Sequence, residues 1–240
     1  MSTVLDVNGI SRSFGGLKAV DEVTFTLNKG DVAALIGPNG AGKTTCFNLL
    51  SGALTVHSGS VLFGGHDITH WQPHQRARAG IGRTFQIAAT FRSMTAIENV
   101  EAALMAAGLR TDTASQLLQD VGMAGLTGTP VTALAYGDVK RVELAMALAA
   151  DPVLLLLDEP TAGMAADERQ KIMERISDLV RARGITVLFT EHDMDAVFGY
   201  ASRILAMDQG RLIADDSPDA VRNDARVQRV YLGEPETGDA

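Results

Sequence analysis

The stretch GPNGAGKTT at positions 37–45 constrains this chain more than any other. It satisfies G-x-x-x-x-G-K-[ST] and lies between an apolar run, VAALI at 32–36, and a segment over 42–50 that reads as a helix. In that setting glycines let successive backbone N–H groups turn inward around phosphate oxygens, Lys43 adds a cation, and the Thr44 hydroxyl can meet a divalent cation. Strand, loop and helix in this order are the opening unit of an α/β fold.

A second stretch agrees with the first. LLLLDE at 154–159 is an apolar run suited to a strand buried on both faces, ended by Asp158 and Glu159. Successive strand residues point to opposite sides, so Asp158 is expected to face a metal and Glu159 a water attacking a terminal phosphate. Residues 186–189 form another such run, and the helical segment 167–183 between them sets Ile172, Ile176, Leu179 and Val180 on one face. Strand, helix and strand in succession imply a parallel sheet. Upstream, residues 4–10 and 22–27 read as strands, the second alternating Val23, Phe25 and Leu27 with threonines. Between 95 and 134 the strand signal gives way to the alanine-rich helices ENVEAALMAAGL and ASQLLQDVGM, which read as an inserted helical lobe. Short strands near 203–207 and 211–214 and a helix from Ser217 complete the pattern.

Composition narrows the partners. A chain of 240 residues, 46% of them hydrophobic, can bury one large core with a smaller lobe attached. A net charge of −8 argues against a surface that coats nucleic acid. The single Cys46 excludes an internal disulfide, fits a reducing compartment and reads as a buried small residue. The N-terminus lacks the basic-then-apolar pattern of a signal peptide, and the longest aliphatic run, 153–157, falls far short of the roughly 20 residues that span a bilayer. NKGD at 28–31 spells a guanine-reading motif, but it sits immediately before the strand that enters the phosphate loop, so a tight turn explains it better than a GTPase does. HDMD at 192–195 reads as a helix N-terminus bearing acids. LAYGD at 134–138 places small residues and bare backbone at another helix start, where an anion is favoured.

Taken in order, GPNGAGKTT, RTFQ, LAYGD, LLLLDEP and TEHD resemble the ATPase subunit of an ATP-binding cassette (ABC) transporter over almost the whole chain. SFGGLKAV, GIGRTFQ, MTAIENV, AGM after the acids and VYLGE near the end are similar to the branch serving branched-chain amino acids and related polar solutes. The resemblance implies one cassette over 1–240: a P-loop NTPase core with a mostly parallel sheet and an N-terminal antiparallel β subdomain (1–94 and 151–240), and an α-helical subdomain with the signature helix (95–150). It implies ATP and Mg²⁺ as ligands. Gly37, Pro38, Asn39, Gly40, Ala41, Gly42, Lys43, Thr44 and Thr45 would cradle the phosphates, Phe14 would stack on adenine, and Thr44, Gln86 and Asp158 would hold the metal. Glu159, His192 and Lys43 would carry catalysis, with His192 contacting the γ-phosphate and aligning Glu159 with the water. Ala135, Tyr136 and Gly137 would act in trans, closing over the ATP held by a second subunit.

The same resemblance implies partners: integral membrane permease subunits, a second ATPase subunit and, indirectly, a periplasmic or extracellular solute-binding protein, with no nucleic acid. The expected location is peripheral, on the cytoplasmic face of the membrane. Residues 87–93 are the expected permease-docking segment. A soluble cassette ATPase working on nucleic acid or ribosomes is the competing class; one cassette, no heptads and negative charge count against it. Three positions depart from the family pattern: Ala135 for serine, Asp138 for glutamine and Ala165 for aspartate. A weakened LAYGD segment favours pairing with a different ATPase chain over a homodimer.

Overall fold

The apolar runs at 32–36, 154–157 and 186–189 become neighbours in one sheet. The computed structural model describes residues 2–84 and 89–232. In chain order the elements are β1 (Thr3–Phe14), β2 (Leu17–Asn28), β3 (Val32–Ile36), α1 (Lys43–Leu50), β4 (Ser58–Phe63), β5 (His66–Asp67), α2 (Pro73–Arg78), β6 (Ile81–Arg83), α3 (Ala96–Ala106), α4 (Ala114–Asp120), α5 (Tyr136–Leu148), β7 (Leu154–Asp158), α6 (Ala166–Arg183), β8 (Thr186–Thr190), α7 (Met194–Tyr200), β9 (Arg203–Asp208), β10 (Arg211–Asp216), α8 (Pro218–Arg222) and α9 (Ala225–Leu232). The main sheet runs β10-β9-β3-β8-β7-β6, parallel from β9 to β6 with β10 antiparallel at one edge. A second, antiparallel sheet runs β2-β1-β4-β5.

Both faces of the main sheet are covered, which is why its central strands read as unbroken apolar runs. Ala33, Leu35, Leu154, Leu156 and Leu188 face α1 and the antiparallel sheet, packing in one core with Phe47, Leu49, Val7 and Phe25. Their alternates, Ala34, Ile36, Leu155, Leu157, Val187 and Phe189, pack with Ile172 and Ile176 of α6 and with Val100, Leu117 and Val142 of α3, α4 and α5. Helices α3, α4 and α5 therefore share one core with the sheet. Burying a leucine-sized side chain contributes about 1.5–3 kcal/mol, so these two layers supply most of the force that holds strand ends in place.

Several boundaries differ from the sequence reading. Strands β1 and β2 extend well past 4–10 and 22–27 because β-bulges let their polar halves stay paired. Elements β4, β5, β6 and α2 had no counterpart: β6 is only three residues long, and its strand character comes from pairing with β7. NKGD is a turn, with the Asp31 N–H donating to the Asn28 carbonyl at 3.1 Å and the Asn28 N–H to Asp31 Oδ2 at 2.8 Å. The helix expected from Ser217 begins at Pro218, with the Ser217 hydroxyl accepting from Ala220 N–H.

Candidate functional site

The phosphate loop joins β3 to α1, and its shape demands glycine at two places. A Cβ on Gly37 would lie 2.4 Å from the Met207 carbonyl oxygen, and one on Gly42 would lie 2.2 Å from that of Ala19. Gly42 also sits at φ 103, where side chains are strained, and serves as N-cap of α1 without any side-chain cap. No acidic residue occupies the first turn of α1. Its N–H groups thus point into the loop as anion donors. The buried Lys43 ammonium donates to the Gly37 and Pro38 carbonyls at 2.6 and 3.1 Å. Burial lowers its pKa, while the charges of Glu159 and Asp158 act in the opposite sense.

Asp158 ends β7 and Glu159 follows it, in the same sheet whose strand β3 leads into the loop. Alternation along β7 turns Leu154, Leu156 and hence Asp158 toward the α1 side of the sheet. The Asp158 carboxylate is buried; Oδ1 accepts from the Thr190 hydroxyl at 2.8 Å, and Oδ2 lies 3.6 Å from Arg83 Nη2. Glu159 corrects one expectation. The strand ends at Asp158, and Glu159 takes a left-handed conformation, φ 49, so pleat alternation does not aim its side chain. Its direction is set by the end of β8: the Glu159 N–H donates to the Thr190 carbonyl and hydroxyl at 3.2 and 3.0 Å. Glu159 Oε1 then lies 2.9 Å from Nε2 of the half-exposed His192. A left-handed glutamate at a strand tip is the kind of strain that a surrounding network must hold.

The remaining sequence candidates stand farther out. Phe14 ends β1 and leaves its ring half-exposed, with the Arg12 guanidinium 5.1 Å from the ring centroid. Ala135 is the N-cap of α5 and provides no side-chain cap, as the small residues of LAYGD suggested. Tyr136 is exposed, and a Cβ on Gly163 would lie 3.3 Å from its ring. Asp138 does not cap α5; it pairs with Arg141 at 3.2 Å. Among the described residues, no hydrogen bond or ion pair joins 134–138 to 37–45. Asp193, after His192, N-caps α7 by accepting from Ala196 N–H, as HDMD suggested. Gln86 lies outside the described residues, as do positions 87 and 88 of the expected docking segment.

Sequence reasoning passed over Arg83, Thr190 and Glu191, although each stands inside a quoted motif. Their partners, Asp158 and Thr161, are far away in sequence, so no local spacing marks them. As for a cation, the Thr44 hydroxyl and Asp158 carboxylate offer hard oxygen donors of the type Mg²⁺ prefers, on the side of the sheet that carries Lys43.

A parallel sheet with a glycine–lysine loop after one strand and paired acids after another defines a phosphate-loop nucleotide hydrolase. The ABC transporter family model matches residues 20–162, and a model described as branched-chain amino acid ATP-binding cassette transporter matches 211–237. The chain belongs to the ABC transporter family, as an ATPase cassette. It is 38% identical to the high-affinity branched-chain amino acid transport ATP-binding protein LivG of Escherichia coli K12, over 96% of this chain and 98% of LivG. It is 36% identical to the lipopolysaccharide export system ATP-binding protein LptB of Haemophilus influenzae, over 97% and 98% of the two chains. A solved ATP-binding cassette of an ABC transporter in its ADP conformation superposes with a TM-score of 0.90 at 32% identity, covering 98% of this chain and all of that one.

Proposed function

We propose that this cassette hydrolyses ATP in a site completed by a second cassette, and thereby powers uptake of branched-chain amino acids or related small solutes through a membrane permease. The observation that carries the hydrolytic reading is the Glu159–His192 contact after β7 and β8, in the sheet whose strand β3 leads into the Lys43 loop. The glycine-rich loop and Lys43 grip the phosphates, the ammonium exchanging two loop carbonyls for phosphate oxygens. Phe14 offers its ring face to the adenine. Glu159 accepts the proton of the attacking water, and His192 holds that carboxylate in line and reaches the γ-phosphate. Thr44, Asp158 and Gln86 hold Mg²⁺, which when bound neutralises charge on the transferred phosphoryl group.

The uncapped α5 tip, Ala135 to Gly137, makes no hydrogen bond or ion pair with its own loop among the described residues, which supports its service to the other subunit's ATP. The core (1–94 and 151–240) and the helical subdomain (95–150) then act as one cassette, with a different ATPase chain as the favoured partner. For the permease we favour the cleft of about 500 Å³ between α2, β6, α3 and α5, lined by Ala77, Ile81, Ala103, Leu109 and Met146. Phe91, Met105 and Leu109 are large apolar side chains left exposed, and Leu109 lines the cleft itself. No helix of the described residues is long and apolar enough to cross a membrane. In this reading the chain works peripherally on the permease's cytoplasmic side, with a solute-binding protein acting across the membrane.

The match over 211–237 favours the branched-chain uptake branch over export. The test is reconstitution of the chain with its permease in vesicles. We expect ATP-dependent accumulation of labelled leucine, isoleucine or valine, loss of turnover by about a hundredfold or more in Glu159→Gln, and an ATP-trapped cassette pair in that variant. Turnover unchanged in Glu159→Gln would remove the hydrolytic assignment, and outward movement of a lipid-linked cargo would favour export.

A further inference from the structure

Glu191 lies between the end of β8 and His192, and its buried carboxylate has no role in the reaction described so far. Its Oε1 accepts from Thr161 twice, from the backbone N–H at 2.8 Å and from the hydroxyl at 2.7 Å. Thr161 is itself buried, two residues beyond Glu159. One side chain therefore ties together the two loops between which the Glu159–His192 contact forms.

Three consecutive residues leaving β8 each hold the loop that follows β7. Thr190 takes Asp158 and the Glu159 backbone, Glu191 takes Thr161, and His192 takes the Glu159 carboxylate. A buried carboxylate is costly, since burial disfavours its charge and the Glu159 charge adds to that disfavour. An apolar pair of similar volume would hold the fold at least as well. What an apolar pair lacks is a directional grip on a backbone N–H and a hydroxyl.

We propose that Glu191 is a positioning residue for hydrolysis, fixing the distance and orientation between Glu159 and its own neighbour His192 by holding Thr161. This rests on the reading that Glu159 and His192 act on the attacking water. In near-attack geometry a misplacement of about 1 Å costs on the order of a hundredfold in rate. Glu191→Ala should therefore lower kcat by about tenfold to a hundredfold while the dissociation constant for ATP stays within about twofold. Glu191→Gln keeps an oxygen acceptor for Thr161 and should retain at least half of the wild-type kcat. Thr161→Val, which loses only the hydroxyl, should fall between the two.

The experiment measures kcat, ATP affinity and thermal unfolding for these variants in the full chain assembled with its permease. It adds a cycle in which Glu191→Ala is combined with Glu159→Gln. Coupling through the glutamate–histidine pair predicts that Glu191→Ala has no further effect once Glu159 is disabled. Equal losses in the Ala and Gln variants, parallel loss of ATP affinity and kcat, or full additivity with Glu159→Gln would each overturn the proposal. If Glu191→Ala fails to fold, Glu191→Gln and Thr161→Val decide it: a Gln variant as slow as Glu159→Gln, or a Val variant with wild-type kcat, sinks it. Normal turnover in Glu159→Gln itself would overturn instead the assignment of Glu159 on which the proposal rests.

Discussion

Gly42 has both a left-handed backbone and a carbonyl oxygen where its side chain would go. Gly42→Ala is expected to cost about 2–4 kcal/mol, combining backbone strain with overpacking, and urea denaturation measures it. Lys43 bears instead on phosphate binding. Lys43→Ala should weaken ATP binding by roughly ten- to hundredfold, the worth of a charge-assisted hydrogen bond of about 1.5–3 kcal/mol, as read by titration with a fluorescent nucleotide. Next to these, Cys46 is chemically silent. It is fully buried in α1, and burial pushes its thiol pKa up to about 12. A thiolate is then scarce in the native protein at pH 8, so a thiol reagent should label Cys46 only after denaturation.

At the level of elements, the phosphate-loop helix is held from its far end. Arg76 of α2 is fully buried and donates to the carbonyls of Leu49 and Leu50, at 2.8 and 2.7 Å, and to Thr69 at 3.0 Å. It thus satisfies the last carbonyls of α1 with a cation at the negative end of the helix dipole. Arg76→Ala leaves several buried carbonyls unpartnered and should destabilise the protein by about 3 kcal/mol or more, seen as a lower denaturant midpoint. At α5 the opposite holds, because Ala135 leaves the helix uncapped. A serine there should raise stability by about 0.5–2 kcal/mol, which thermal unfolding of the isolated chain would register.

Across the whole molecule, the same serine has a second reading. In the proposed pairing each cassette would hold ATP in its own loop and present its α5 tip to the other subunit's ATP, so Ala135→Ser should speed steady-state turnover in the assembled complex by supplying a hydrogen bond to phosphate. In a complex with a different ATPase chain the gain belongs to the partner's nucleotide alone; in a homodimer it belongs to both. Turnover unchanged in the complex would count against the trans role of LAYGD. Tyr136 lies against Gly163, which brings that tip next to the segment following Glu159.

The loop at 37–45, the acids at 158–159 and the strands β3, β7 and β8 were legible from the residues alone, because a strand buried on both faces must be continuously apolar and a phosphate loop must spend glycine and lysine at set spacing. Helices α3 and α4 were legible from their alanine-rich composition. Tertiary structure alone decided the rest. β6 is a strand because β7 lies beside it, Arg83 meets Asp158 because of that pairing, and Glu159 is aimed by Thr190 across 31 residues rather than by its own strand. Local patterning reports which face of an element is apolar. Which polar groups meet at strand ends depends on sheet order and register, and those follow from packing contacts between segments distant in the chain.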